Sequence, residues 1–169
     1  MIRGEIRVGK DREEIRKEIE EFLKFHSENY FTCAIATCND NIPRNTPVDY
    51  RPDGLSIWFV CDSGGKIKNI ESNPKVCVAI FVPLGKGRMK DARGLQMWGT
   101  ARIIKRAENE EDFNYGAKIF NLENFNRKQF GKDITEEQLN KIIFINVIPN
   151  KISFLDGSKG VGYKLIWTE

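Results

Sequence analysis

The stretch CDSGGKIKNIESNPKV (61–76) separates two apolar runs, LSIWFV (55–60) and VCVAIFV (76–82). The apolar runs predict buried strands, and a plain connection between two strands needs only a few turn residues. This connection instead places two glycines before a polar segment of helical length, which an Asn–Pro pair ends. We therefore predict a short helix over 66–72. The unpaired N–H groups at the start of such a helix attract anions.

The side chains around this predicted helix start suit a phosphate. Helical spacing places Lys66 and Asn69 along one edge, directs Ile67 to the core and turns Lys68 toward solvent, while Ser63 lies just before the helix. A hydroxyl, backbone N–H groups, an ammonium and an amide therefore converge on one spot. The same pattern is equally compatible with a solvated loop and a surface helix. It is not a Walker A loop, because Ile67 stands where a Ser or Thr would bind magnesium.

Composition limits the classes of protein to consider. The 169 residues fit a single domain, 1–169, and the net charge of +3 is too small to indicate a nucleic-acid-binding protein. The four cysteines form no CxxC pair and the one histidine is His26, so we expect no metal site and a reduced, cytoplasmic location. Neither a signal peptide nor a membrane span is expected, because no suitable apolar segment is present.

Helices are predicted at three further places. Asp11 and Glu14 have the spacing of a capping box, so we expect an N-terminal helix over 11–28 with its apolar residues on one face. The segment 110–125 is helical by pattern, although its glycine weakens that prediction. A short helix should begin after Thr135, which is suited to cap it.

The remaining apolar runs predict a mainly β fold. They are rich in β-forming residues and separated by turn signals such as RPDG (51–54). The runs are 30–38, 42–50, 55–60, 76–82, 95–104, 142–149, 151–156 and 161–167. We expect six or seven mostly antiparallel strands, since most connections are short enough for hairpins, and a β-barrel over 30–167 with peripheral helices.

Two predicted strands present polar side chains that a ligand could use. In LQMWGTARI (95–103), alternation places Gln96 and Trp98 opposite the core face, which suits a ring ligand, a partner subunit or solvent. In RNTPVDY (44–50), Arg44 could pair with a phosphate, although exposed arginines commonly have no specific partner. Two prolines in this second strand indicate a sheet edge or backbone groups that face a ligand.

Taken in order, these features resemble the pyridoxamine-5′-phosphate-oxidase-like, FMN-binding split-barrel family. The segment GKIKNIESNPKV (65–76) is similar to the family signature K-x-x-N-I-x-x-N-P-x-V, and the resemblance runs from about residue 30 to residue 104. It implies a split β-barrel that binds FMN, with Lys66 on the phosphate and Asn69 supporting it. The other cofactor-binding positions that it implies are Arg44, Asn45, Thr46, Pro47, Val48 and Asp49 along the ring and ribityl chain, Cys61, Asp62 and Ser63 beside the phosphate, and Gln96 with Trp98 near the flavin.

The resemblance also implies a homodimer with FMN between the subunits, so some contacts should come from the second chain. Trp98 and the strand 161–167 are candidates for those contacts. Two departures from the family are visible. The region 157–165 has no Arg-x-His pair to hold a B6 substrate, and Gly64 and Gly65 replace the Ser/Thr–Arg pair that usually precedes the signature lysine. These departures question the B6 substrate and the oxidase reaction more than they question FMN.

The function expected from the resemblance is that of an FMN-dependent oxidoreductase with a small-molecule electron donor or acceptor. We name no catalytic side chain, because flavin hydride transfer needs no protein nucleophile. The basic loop 84–93, with Lys86, Arg88, Lys90 and Arg93, could recruit an anionic substrate or be a solvated hairpin tip. The alternatives are a non-enzymatic flavin-binding stress or redox-sensing protein, or a split barrel that uses deazaflavin or haem. Haem is disfavoured, since the lone His26 lies on the first helix.

Overall fold

The structure is a computed structural model that describes residues 6–7, 9–84, 89–160 and 162–169. Its strands are β1 (Ile6–Arg7), β2 (Thr32–Asn39), β3 (Ile42–Asp53), β4 (Ser56–Cys61), β5 (Lys75–Phe81), β6 (Arg93–Lys105), β7 (Ile143–Asp156) and β8 (Tyr163–Thr168). Its helices are α1 (Arg12–Asn29), α2 (Gly65–Ser72), α3 (Glu110–Phe120), α4 (Leu122–Phe130) and α5 (Glu136–Lys141). Two single-turn 3-10 helices, Met89–Asp91 and Gly157–Lys159, flank β6 and β7.

Six antiparallel strands close into a barrel. Their order is β7-β4-β3-β2-β5-β6, and the pairing of β6 with β7 closes the ring. The strand β8 adds to the second half of β7, and β1 pairs with β8 in parallel. The predicted mainly β barrel with peripheral helices is therefore confirmed. The short parallel strand β1 was not predicted, because two residues carry no detectable alternation.

One strand of the barrel is only partly paired. The first part of β3, residues 42–49, pairs with β2, whereas its pairing with β4 is confined to residues 50–53. Within the described residues, the other edge of 42–49 therefore meets no strand. Pro43 and Pro47 lie in this segment, where the missing backbone N–H of a proline removes no inter-strand hydrogen bond on the unpaired side of β3. The prolines mark a sheet edge, as predicted, and the edge opens a split in the barrel wall.

The helix α1 packs against the barrel and is capped as predicted. The Asp11 carboxylate accepts from the Glu14 N–H at 2.8 Å, and Glu14 accepts from the Asp11 N–H at 3.0 Å. Apolar spacing then buries Ile19, Phe22 and Leu23 against the barrel core. Thr135, predicted to cap a short helix, does so, and it forms a capping box with Gln138 at the start of α5.

The segment 110–125 is helical as predicted except at Asn121, where the structure divides it into the two helices α3 and α4. Asn121 adopts a left-handed conformation with a φ of 48°, which ends α3 and lets α4 leave in a new direction. Gly116 has a packing role within α3, since a Cβ there would lie 2.9 Å from Cδ2 of Phe144. The glycine therefore lets α3 approach the outer face of β4 and β7, where Trp58 and Phe144 form a second buried cluster.

The runs 142–149 and 151–156 were predicted as two strands, but β7 runs without interruption from Ile143 to Asp156. A register shift opposite Trp98 and Gly99 absorbs the extra residue of β7. Gly99 is required at this bulge, since a Cβ would lie 2.3 Å from the carbonyl oxygen of Ile148. In the described ranges, no helix is long and apolar enough to cross a bilayer.

Candidate functional site

The helix α2 begins at the split in the barrel. It starts at Gly65, and Gly64 at the N-cap position supplies no side chain to bond the first N–H groups. Ile67 and Ile70 are buried and fix the helix to the core, whereas Lys68 is exposed. The helix predicted over 66–72 is confirmed, and its free N–H groups point out of the end of the helix.

Two side-chain hydrogen bonds hold α2 against β2. Asn69 donates from Nδ2 to Oγ1 of Thr37 at 3.0 Å, and Ser72 donates to Oδ1 of Asn39 at 2.8 Å. Thr37 is buried, so the first of these bonds is shielded from water. Asn69 thus positions the helix, and its support of a phosphate remains a prediction. Thr37 was not predicted as a site residue. It follows Cys33 and Ile35 on the inward face of β2, where a buried polar side chain needs a hydrogen-bond partner.

Arg44 reaches the start of α2 from the free edge of β3. It lies opposite Thr37 in the β2–β3 register, and directly paired residues point to the same face of a sheet. Its guanidinium packs against Gly65 so closely that a Cβ on that residue would lie 3.0 Å from Nη1 and 3.3 Å from Cζ of Arg44. The missing side chain at Gly65 therefore makes room for an arginine that comes from another strand.

Lys66, the next residue of α2 after Gly65, adds a second positive charge to this part of the chain. Its side chain is half-buried, and its charge acts on the thiols of Cys33 and Cys61. Burial raises the pKa of Cys33 to about 12, an effect that nearby Asp49 reinforces and Lys66 opposes. Burial likewise raises the pKa of Cys61, again against the influence of Lys66. Both thiols stay protonated at neutral pH, so neither is a candidate nucleophile.

The start of α2 therefore has two cationic side chains and the free N–H groups of a helix end, with Asp62 in the turn before it. We call the backbone of Gly64–Lys66 and the side chains of Lys66 and Arg44 the anion cradle. Neither side chain lies within 4.0 Å of a carboxylate in the described ranges. Two cations at the positive end of a helix repel one another unless an anion joins them. A phosphate monoester has the charge and the acceptor oxygens for such a site.

The other predicted residues of β3 divide between its two faces. Thr46 and Val48 share the inward face with Arg44, while Asn45, Pro47 and Asp49 point to the outside. Asp49 accepts a hydrogen bond of 3.0 Å from Thr32. Asp62 and Ser63 are exposed in the turn that leads into α2. The structure therefore places Cys61, Asp62, Ser63 and the whole segment 44–49 around the split.

Gln96 and Trp98 are not brought to the cradle of the same chain. Both are exposed on the outer face of β6, as the alternation predicted. The register joins Pro47 to Ala34, Ala34 to Ala79, and Ala79 to Gln96, so two strands separate β6 from β3. Gln96 therefore lies three strand spacings, or roughly 14 Å, from the edge strand β3 that carries Arg44.

The basic loop is only partly described. Lys86 and Arg88 lie outside the described residues, and Lys90 is exposed. Arg93 is half-buried at the start of β6, where its Nε lies 3.3 Å from Oδ2 of Asp156 and its guanidinium stacks over Phe22 and Phe25. Arg93 is therefore part of the barrel wall, and it does not belong to a solvated loop.

His26 is fully buried and both of its ring nitrogens have partners. Nδ1 lies 3.0 Å from the hydroxyl of Tyr50, and Nε2 lies 3.0 Å from the carbonyl oxygen of Phe81. A carbonyl only accepts, so Nε2 carries the proton and Nδ1 accepts from Tyr50. Burial lowers the pKa of this histidine, and the bond to Phe81 partly opposes that effect. The residue is thus a neutral core group.

The profile of the family described as "Pyridoxamine 5'-phosphate oxidase" matches residues 15–147. The chain belongs to this family. A search of curated proteins finds no match. The range matched by the pyridoxamine 5′-phosphate oxidase family holds the barrel strands from β2 to β6, the cradle residues and the first part of β7.

Solved structures share this fold at low sequence identity. General Stress Protein 26 from Bacillus anthracis is 18% identical, with a TM-score of 0.62 over 90% of this chain and 99% of that one. An FAD-binding protein from Mesorhizobium loti is 13% identical, with a TM-score of 0.59 over 79% and 91%. A heme-binding protein from Mycobacterium smegmatis is 14% identical, with a TM-score of 0.63 over 95% of this chain and 59% of that one. Cofactors of more than one kind thus occur on this fold.

Proposed function

We propose that the protein binds FMN and serves as an FMN-dependent oxidoreductase. The observation that carries the proposal is the anion cradle, in which the Arg44 guanidinium packs on Gly65 beside Lys66 and neither cation has a carboxylate partner in the described residues. The phosphate of FMN is a monoester with up to two negative charges, which matches two cations and a helix start. Membership of the pyridoxamine 5′-phosphate oxidase family supports the same cofactor.

The chemistry of the cradle favours FMN over the other cofactors found on this fold. The phosphates of FAD are diesters with one charge each, so they use the two cations less fully. Haem is bound through an axial ligand, and the one histidine of the chain is buried with both nitrogens engaged. Deazaflavin cofactors remain an alternative for the ring site, and the absorbance spectrum of the loaded protein distinguishes them from flavin.

The free edge of β3 would hold the flavin beyond its phosphate. Residues 45–49 continue from Arg44 along the split, and their outer backbone edge meets no strand in the described part of the chain. Unpaired backbone N–H and C=O groups can bond the ring heteroatoms and the ribityl hydroxyls. In this proposal the chain binds and orients the cofactor, and the flavin supplies the exchange of electrons with a small-molecule donor or acceptor.

A homodimer would complete the site. The outer face of β2, β5 and β6 is flat at its centre, where Ala34, Ala36, Cys77 and Ala79 are half-exposed, and larger apolar groups such as Phe81 and Trp98 surround it. An exposed apolar face of this kind suits a protein interface. We propose that a second copy packs here, so that Gln96 and Trp98 of the partner subunit reach the flavin.

The four cysteines are free, which supports a reducing, cytoplasmic location.

Reduction of the bound cofactor tests the enzymatic part of the proposal. Purified protein loaded with FMN should show a flavin spectrum that NADH or NADPH bleaches without oxygen and that air restores. Cofactor that binds but is not reduced by any nicotinamide donor would favour a non-enzymatic flavin-binding protein. The absence of a B6-binding Arg-x-His pair predicts no turnover of pyridoxamine phosphate.

A further inference from the structure

A separate pocket of about 210 Å³ lies between the sheet and α4. Its apolar walls include Val60, Phe120, Leu122, Phe125 and Ile142, while Asp49, Arg51 and Asn126 supply its polar groups. We call it the ring pocket. Elements far apart in the sequence build it, since β3, β4, α3, α4 and the start of β7 each contribute.

The volume of the ring pocket limits its ligand to one small ring. An engineered apolar cavity of about 150 Å³ in another protein holds benzene, so about 210 Å³ holds a ring with one or two substituents. A complete FMN and a nicotinamide dinucleotide both exceed this volume, so the ring pocket suits a smaller molecule.

Arg51 gives the ring pocket an oxygen-binding group. The guanidinium lies between two rings, at 5.9 Å from the centre of Phe31 and 5.7 Å from that of Phe120, which fixes its plane. Nη1 donates to the carbonyl oxygen of Tyr50 at 2.9 Å, and most of its other donors remain for a ligand. In the described ranges no carboxylate lies within 4.0 Å of this half-buried cation. A planar carboxylate matches the geometry of such a donor group.

Asp49 sets the orientation of a ligand. The carboxylate repels a second anionic group, so a ligand with one carboxylate would direct it to Arg51. Asp49 lines the ring pocket and also belongs to the segment 45–49 that is proposed to hold the flavin. The ring pocket therefore adjoins that edge of β3.

We propose that the ring pocket binds a single-ring aromatic monocarboxylate. The carboxylate lies on Arg51, and the ring packs between Val60, Phe120 and Phe125. The binding follows from the pocket itself, whereas a role of the ligand as the molecule that exchanges electrons with the cofactor rests on the function proposed above.

Benzoate is the probe that tests this inference. Titrated into flavin-free protein, benzoate should shift the amide NMR resonances of Val60, Phe120 and Asn126. Benzamide, which keeps the ring without the charge, and acetate, which keeps the charge without the ring, should each bind about tenfold more weakly or worse. No shift at millimolar benzoate, or shifts confined to other parts of the chain, would overturn the inference.

Variants locate the binding at Arg51. Arg51→Gln should weaken benzoate binding about tenfold or more, while Arg102→Gln, which alters a half-exposed arginine on β6, should leave it unchanged. Val60→Phe keeps Arg51 and fills the pocket, so it should also abolish binding. Equal affinity for benzoate in wild type and Arg51→Gln would contradict the proposal.

The two proposals fail separately. FMN binding is followed by flavin absorbance, independently of benzoate. Loss of FMN binding with intact benzoate binding would remove only the proposed cofactor. Displacement of benzoate by FMN would show that the ring pocket belongs to the cofactor site, which overturns the inference drawn here.

Discussion

Replacement of Lys66 by alanine tests the anion cradle most sharply within the chain. The substitution removes a half-buried ammonium at the start of α2, and Lys68→Ala removes the same charge two residues later on the exposed face of the same helix. A charge-assisted hydrogen bond to a phosphate contributes about 1.5–3 kcal/mol, so Lys66→Ala should weaken FMN binding roughly 10- to 150-fold. Lys68→Ala should change it less than about threefold, because solvent and salt screen an exposed charge.

The assay is a titration of flavin-free protein with FMN, followed by quenching of flavin fluorescence. Both variants should retain the stability of the wild type within about 0.5 kcal/mol in urea unfolding, because neither ammonium belongs to the core. Affinity for FMN that is the same in Lys66→Ala and wild type would refute the assignment. Equal losses in both variants would show that only the net charge matters and that the helix start provides no specific site.

Three other predictions follow from single contacts. Gly65→Ala should displace the Arg44 guanidinium, whose Nη1 would lie 3.0 Å from the new Cβ, and weaken FMN binding about tenfold without loss of stability, as titration and urea unfolding together would show. Burial lowers the pKa of His26 below 6.5, so the unfolded chain binds a proton at this residue before the folded chain does. The free energy of unfolding in urea should therefore fall as the pH drops below about 6.5. The variant His26→Gln should lack this part of the pH dependence. Gly116→Ala should cost about 1–3 kcal/mol in the same assay, because its Cβ would clash with Phe144.

Features with local causes were predictable from the sequence. The capping box predicted at Asp11 depends on a spacing of three residues and forms, and Thr135 caps α5 as predicted. Alternation correctly separated the buried and exposed faces of β6, and the sequence around Gly65 indicated α2 and its exposed start. Each of these signals lies within one element, where side-chain spacing determines the outcome.

Features that depend on distant contacts were not predictable. The break between α3 and α4 depends on the left-handed conformation of Asn121, and no glycine in the sequence indicates such a conformation there. The continuity of β7 depends on a bulge opposite Gly99, which lies on another strand. The approach of Arg44 to Gly65 requires the β2–β3 register and the Asn69–Thr37 hydrogen bond together. The predicted site residues therefore fall into two groups, because the strand order places β2 and β5 between Gln96 and the segment 44–49.

The most direct test of the central claim compares FMN with riboflavin, which differ only in the phosphate. If the anion cradle holds that group, wild-type protein should bind FMN about 100-fold more tightly than riboflavin or better, since two cations and a helix start all act on the phosphate. Equal affinity for the two flavins, or no binding of either, would contradict the account.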